Sequence, residues 1–190
     1  MMELKPSSLT LVPVKVENWL VNFLAKELAS RFTLKVEVEE LVSLGDLVKF
    51  YDEERGQIEA SSLLEYLYSR LPWNPLARVL IVADVDAYVP GLNFIFGLAR
   101  EGWGGMVFLA RLKPAFYGQP HHPLLLSMRL LKEAVHELGH SFGLGHCVNR
   151  TCVMRFSNTI YEVDAKTPNF CRRCALELER RFPGLLRAVP

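Results

Sequence analysis

The stretch HELGHSFGLGHC, residues 136–147, constrains the fold of this chain more than any other feature of its sequence. It carries three of the five histidines in the chain and ends in the first of its four cysteines. Two histidines four residues apart lie on the same face of a helix, and Gly143 can adopt the positive φ that ends a helix abruptly. We therefore predict that His136 and His140 lie together on a helix and that the chain turns after Gly143, which brings His146 back beside them.

This histidine arrangement is typical of a catalytic zinc site. In H-E-x-x-H, two imidazoles bind one ion and the glutamate between them acts as a general base. Three nitrogen ligands leave a fourth tetrahedral position for water. The sequence thus predicts a zinc ion held by His136, His140 and His146, with Glu137 accepting a proton from the zinc-bound water and passing it to the leaving amine.

The four cysteines form a second cluster, because none precedes residue 147 and they follow C-x₄-C and C-x₂-C spacings. Four thiolates can enclose one tetrahedral ion and leave no open position, which is typical of structural zinc. A helix that begins at the second pair should favour its thiolate forms. We predict a second, structural zinc per chain, while two disulfides or a redox-active C-x-x-C remain the alternative. The predicted ligands are Cys147, Cys152, Cys171 and Cys174.

Composition and charge exclude several kinds of partner. Lys plus Arg (22) nearly balances Asp plus Glu (21) over 190 residues, so charge gives no reason to expect nucleic acid or an anionic membrane as a partner. No apolar run approaches the roughly 20 residues that a membrane-spanning helix needs, and the first residues lack the pattern of a secretory signal. We expect a cytoplasmic monomer. His121 and His122, the remaining histidines, lie in a proline-rich loop and are expected to be solvated.

Hydrophobic periodicity predicts an α/β fold, α+β in detail, that is built on a mixed five-stranded twisted sheet. The closely spaced strands 92–99 and 105–112 predict an antiparallel pair and hence one antiparallel edge strand. A capping box of Ser62 and Glu65 predicts a helix through about Leu71. The other predicted strands are 9–16, 33–40 and 77–89. The other predicted helices are 17–32, 123–142 and 170–182, and 41–57 is expected to be an irregular, exposed excursion.

The extended histidine motif resembles that of the metzincin clan of zinc metallopeptidases, and the cysteine cluster directly after it is similar to that of the archaemetzincins. The stretches KEAVHELGHSFGLGHC, CVMRFSN and FCRRC carry this resemblance. It implies a methionine turn beneath the zinc, with Met154 in that position. Some members of the clan have a tyrosine ligand two residues after this methionine, where this chain has Phe156, so three histidines plus water are expected.

The resemblance also implies one catalytic domain with two parts. Residues 1–143 would form an N-terminal subdomain ending in the long active-site helix, and 144–190 a small C-terminal subdomain with the methionine turn, the structural zinc and the final helix. The expected substrate is a peptide or protein, and a cleft that is shallow or narrowed by loops in a chain of 190 residues would suit short peptides or free N-termini. The substrate backbone would pair with edge strand 92–99. Tyr117 and Tyr161 are weak candidates for an oxyanion donor.

Two other functions remain open. A two-zinc protein could bind a peptide or partner with little or no turnover, since a shared site does not guarantee activity. A hydrolase could instead act on a non-peptide amide. Peptide hydrolysis is the function that the complete histidine motif favours.

Overall fold

The computed structural model describes residues 4–187 of the chain. Its strands are β1 (Ser8–Val14), β2 (Lys35–Val38), β3 (Tyr51–Asp52), β4 (Gln57–Glu59), β5 (Ala77–Ala83), β6 (Ala87–Tyr88), β7 (Gly97–Arg100) and β8 (Gly104–Phe108). Its α-helices are α1 (Asn18–Arg31), α2 (Leu44–Val48), α3 (Ala60–Arg70), α4 (Pro123–Ser141), α5 (Ile160–Ala165) and α6 (Arg172–Arg181). Within these residues no helix is both long and apolar enough to cross a membrane.

The main sheet has five strands in the order β2-β1-β5-β8-β7. The first four run parallel, and β7 pairs antiparallel with β8, with Gly97 opposite Val107 and Arg100 opposite Gly104. The predicted mixed sheet with one antiparallel edge strand is therefore confirmed. The division into two subdomains at residue 143 stays a prediction. Residues 1–3 and 188–190, which belong to the two predicted subdomains, lie outside the described part of the chain.

Helices cover both faces of this sheet. Successive side chains of a strand point to opposite faces, so each strand contributes to two cores. In β5, Leu80 and Val82 pack in the core formed with α1 and α4, whereas Val79 and Ile81 pack in the core formed with α3. The nearly continuous apolar run at 77–89 predicts a strand that is buried on both faces, and β5 confirms it. The strand ends at Ala83 rather than continuing through residue 89.

The segment 41–57 is not the irregular excursion that its polar composition predicts. It contains α2, β3 and the start of β4, and β3, β4 and β6 form a small second sheet. Leu47 and Ile58 are buried, with 0% and 2% exposure, in the core beside α3. Val42 is buried in the same core, and Leu44 and Phe50 pack against it, so apolar contacts hold this segment on the domain.

The start of α3 also differs from the prediction. The helix begins at Ala60, and the carboxylate of Glu59 accepts hydrogen bonds from the backbone N–H groups of Ser61 and Ser62. The predicted capping box of Ser62 and Glu65 is wrong, because Ser62 already lies inside the helix. A carboxylate at the N-cap satisfies the same free N–H groups as a serine would.

The long helix α4 carries the histidine motif across the sheet. Its buried apolar side chains include Leu126, Leu130 and Leu138, whereas Leu124 is 74% exposed and Met128 is 36% exposed. The sequence periodicity predicts one apolar stripe through Leu124, Met128, Leu131, Val135, Leu138 and Phe142. The last four are buried, but the first two are not, because the buried face of the first turns follows the four-residue spacing from Leu126.

Charged residues of α4 fasten it to α5. The guanidinium of Arg129 donates two hydrogen bonds of 2.8 and 2.7 Å to the carboxylate of Asp164. Lys132 Nζ donates to the carbonyls of Val163 and Asp164 at 3.1 and 2.9 Å. These contacts fix the segment after the histidine motif against the helix that carries the motif.

Candidate metal centres

The three motif histidines converge on one point. Nε2 of His140 lies 3.0 Å from Nε2 of His136 and 3.2 Å from Nε2 of His146. Zinc–nitrogen bonds of about 2.0–2.1 Å in a tetrahedral arrangement place ligand nitrogens roughly 3.3 Å apart. The triad therefore fits one zinc ion.

Hydrogen bonds to the opposite ring nitrogen orient two of these ligands, His136 and His140. Nδ1 of His136 lies 2.8 Å from the carbonyl oxygen of Val153, and Nδ1 of His140 lies 2.7 Å from that of Leu144. A carbonyl can only accept, so each Nδ1 carries the hydrogen and leaves the lone pair of Nε2 free. Burial lowers the pKa of all three imidazoles, and that of His136 to well below its ordinary value. Neutral imidazoles are the form that binds a metal.

Glu137 lies against the edge of the sheet, where two glycines make room for it. A Cβ on Gly97 would clash with the Glu137 carboxylate, and one on Gly105 would lie 3.0 Å from the Cβ of Glu137. Burial raises the pKa of the Glu137 carboxyl well above its ordinary value, with Glu133 acting in the same direction and Lys166 against it. Neither glycine belongs to the site predicted from the sequence, although a glycine inside a strand often marks a close approach of another group.

A cleft of about 820 Å³ opens over the histidines. Its walls include β7 and the preceding loop on one side and α4 on the other. Tyr117 and Tyr161 are not among its lining residues: the Tyr117 hydroxyl donates to the carbonyl of Arg111, and Tyr161 is 76% exposed. His121 and His122 are exposed, as predicted, and lie outside the triad.

One wall of this cleft corrects a predicted strand. Residues 92–96 form a loop, and the edge strand starts only at Gly97. The guanidinium of Arg55 donates hydrogen bonds to the carbonyls of Leu92 and Asn93 at 3.1 and 3.0 Å. In a strand, these carbonyls would accept hydrogen bonds from a neighbouring strand instead. Likewise, the predicted strand 105–112 ends at Phe108 as β8.

Met154 is fully buried and packs against the active-site helix. Its sulfur packs against Gly139 so closely that a Cβ there would clash with it. The carbonyl of Met154 accepts a hydrogen bond of 2.9 Å from the backbone N–H of Cys147. The methionine segment, residues 152–155, thus contacts both the active-site helix and the cysteine cluster.

The four cysteines form a separate cluster. The Sγ atoms of Cys147 and Cys171 are 3.8 Å apart, as are those of Cys152 and Cys174, and all four lie within 4.8 Å of one another. Zinc–sulfur bonds of about 2.3 Å in a tetrahedron separate sulfurs by roughly 3.8 Å. The four free thiols therefore fit one enclosed ion.

Their electrostatics also fit a cation. Burial raises the pKa of Cys152 and of Cys174. Burial also opposes ionisation of Cys171, but the backbone N–H of Cys174 and the neighbouring thiols lower the pKa of Cys171 to about 7. The backbone N–H at the start of α6 thus favours the thiolate of Cys171, the N-cap residue of that helix, whereas burial and the neighbouring cysteines raise the pKa of Cys174. Four thiolates at this spacing need a positive ion between them.

A family model described as Peptidase family M54 matches residues 39–180. The archaemetzincin of Pyrococcus horikoshii is 44% identical over 169 residues, which cover 88% of this chain and 87% of that protein. The archaemetzincin of Methanopyrus kandleri is 48% identical over 133 residues, 70% of this chain and 71% of that protein.

Solved structures show the same likeness. The crystal structure of archaemetzincin from Archaeoglobus fulgidus complexed with malonate matches with a TM-score of 0.76 at 36% identity, covering 90% of this chain and 99% of that one. A zinc-dependent peptidase from Methanocorpusculum labreanum matches with a TM-score of 0.81 at 28% identity, covering 90% of this chain and 100% of that one. With its histidine triad and four-cysteine cluster, the chain belongs to peptidase family M54, the archaemetzincins, and is a zinc metallopeptidase.

Proposed function

We propose that this chain hydrolyses peptide bonds at a zinc ion held by His136, His140 and His146, with Glu137 as the general base. The observation that supports this most is that the buried Glu137 and the three histidines with converging Nε2 atoms line one cleft. When bound, zinc supplies a Lewis acid that lowers the pKa of water and polarises the scissile carbonyl. Glu137 accepts the proton of the attacking water at its carboxylate and passes it to the nitrogen of the leaving amine.

The second zinc would be structural and held by the four cysteines. The backbone N–H of Cys171 donates to Cys152 Sγ at 3.3 Å, and that of Asn149 to Cys147 Sγ at 3.5 Å. Such bonds stabilise thiolates, and an ion with four sulfur ligands has no position left for substrate. Its role is to fold the segment that carries Met154.

The substrate would bind as an added strand. β7 has a hydrogen-bonded neighbour only on the side of β8 within the described sheet, and its residues Gly97, Leu98 and Ala99 line the cleft. An extended peptide can pair with such an edge. Short peptides or free N-termini are the substrates that we propose.

Gly97→Ala tests whether catalysis needs the space that Gly97 leaves for the Glu137 side chain. The added methyl group should displace the Glu137 carboxylate and lower kcat by roughly 10- to 100-fold, because a shift of about 1 Å at a reacting group has this effect. The melting temperature should change by only a few degrees, since the clashing atoms are the end of a side chain. Gly45→Ala in α2, where a Cβ meets nothing closer than 3.4 Å, is the control. Turnover at the wild-type rate in Gly97→Ala would contradict this account of the site.

The proposed function is tested by digesting a peptide library and reading the products by mass spectrometry. Zinc-loaded wild type should produce cuts that are absent with the metal-depleted protein and with Glu137→Ala. Acetylating the N-termini of the library separates the two substrate classes, because only an aminopeptidase loses its cuts. Binding of peptides without any cut would favour the partner-binding alternative. Cleavage of small amides with peptides left intact would favour the amide hydrolase.

A further inference from the structure

A buried ion pair lies beside the histidine triad. Lys166, at the C-terminal end of α5, has a fully buried side chain, and its Nζ lies 2.8 Å from Oε1 of Glu133, which is also buried. Lysine is almost never fully buried without a partner. Apolar side chains of similar volume often stabilise a fold as well as a buried ion pair does, so stability alone does not explain this one.

The pair connects two parts of the site. Glu133 lies one helical turn before Glu137 on α4 and lines the same cleft. Nζ of Lys166 also donates a hydrogen bond of 3.3 Å to the carbonyl of Arg155, the residue after Met154. A single ammonium group therefore bridges the active-site helix and the methionine segment, whose Val153 carbonyl orients His136.

The other charged contacts of α4 show that this bridge is not needed merely to attach α5. Arg129 and Lys132 already bind Asp164 and the carbonyl of Val163. Of these three buried cations, Lys166 is the one with a contact to the methionine segment. The contact with the site is therefore specific to Lys166.

We propose that Lys166 and Glu133 are positioning residues for the reaction, because their buried ion pair holds the methionine segment against the active-site helix one turn before Glu137. This inference rests on the proposed function. The pair fixes the distance between the Val153 carbonyl and the helix, and hence the orientation of His136 relative to Glu137. Outer-shell partners of this kind are typically worth 10- to 100-fold in activity or metal affinity.

The test compares Lys166→Met, Glu133→Gln and the double variant Lys166→Met/Glu133→Leu with wild type. Each is assayed for kcat, KM, melting temperature and zinc content. Lys166→Met should lower the melting temperature, because it leaves the Glu133 charge buried without its partner. The double variant removes both charges and should recover the melting temperature. Its kcat should nevertheless stay about 10- to 100-fold below wild type, with KM changed by less than about threefold.

Lys132→Met is the matched control, since it removes another buried lysine of the same interface that has no contact with the methionine segment among those described. It should lower the melting temperature and leave kcat within about twofold of wild type, because it spares the groups that position His136. A double variant that recovers both stability and wild-type kcat would overturn the proposal. So would a loss of kcat in Lys132→Met as large as that in Lys166→Met.

A spectroscopic measurement separates failure of this inference from failure of the proposed function. Co²⁺ is loaded at the histidine site while zinc stays at the cysteine site, and the visible absorption of Co²⁺ reports how its ligands are arranged. The spectrum should change in the double variant and stay as in wild type in Lys132→Met. If wild type cleaves no peptide, the proposed function fails, and this spectrum still decides the inference. An unchanged spectrum in the double variant would overturn it.

Discussion

Replacing Glu137 by glutamine should lower kcat/KM for peptide cleavage by about 10²–10⁴-fold, the usual contribution of a general base. The amide has the shape of the carboxylate and fits the room between Gly97 and Gly105. Stability should be unchanged or higher, because burial raises the pKa of this carboxyl and so disfavours its charged form. The measurement is steady-state kinetics on a peptide from the library digest, with zinc content and melting temperature determined on the same samples.

The control is Glu53→Gln, which makes the same chemical change in an exposed turn far along the chain from the motif. It should behave as wild type in every measurement. A Glu137→Gln protein that keeps its metal, stays folded and cleaves within about threefold of wild type would rule out Glu137 as the general base, since such bases contribute about 10²-fold or more.

Cys174→Ser should have the largest effect on stability. Cys174 is 3% exposed, and its sulfur is one of the four that surround the enclosed site. Losing a ligand of a structural metal should cost of order 3–5 kcal/mol, or about 6–20 °C in melting temperature for a chain of this size. Cleavage should also weaken by roughly tenfold, because the methionine segment contacts both Cys147 and His136. Cys171→Ser should act in the same direction.

Val148→Ser is the control for this prediction. Val148 lies next to Cys147 in the same loop and is 82% exposed, so the change leaves the four thiols intact. Metal analysis and thermal unfolding of both variants distinguish the cases. A Cys174→Ser protein with two bound zinc ions and the wild-type melting temperature would contradict a structural role for the cluster.

The parts of the site that could be predicted from the sequence are those set by local spacing. His136 and His140 share a helix face because they are four residues apart, and Gly143 takes the positive φ that lets the chain turn toward His146. Each cysteine pair is likewise brought together by a spacing of only a few residues. Such features depend on backbone geometry over a few residues, and the fold preserves them.

Contacts between distant segments could not be predicted in this way. Gly97 matters because β7 comes to lie against Glu137, and Lys166 matters because its loop folds back onto Glu133. The place of Glu133 beside the site could be predicted from the sequence, since it lies four residues before Glu137 and hence on the same helix face. No local pattern could have indicated that the partner of Glu133 would be a buried lysine from another element.

The errors in secondary structure have related causes. The run 92–96 is apolar because it forms a wall of the cleft, and Arg55 binds the backbone carbonyls that would otherwise pair in a strand. In 41–57, the apolar residues are interrupted by polar ones, yet Val42 and Leu47 are buried and fix the segment to the core. In both cases tertiary contacts override the local pattern.

Counting zinc during stepwise chelation, with peptide cleavage assayed at each step, tests most directly whether one chain combines an open catalytic site with a closed structural one. The protein should hold two zinc ions. A chelator should first remove one ion and abolish cleavage with the fold intact, and one equivalent of zinc should restore cleavage. The second ion should leave only when the chain unfolds. Cleavage that persists after the first ion is lost, or a folded and active chain that holds a single zinc, would contradict this account.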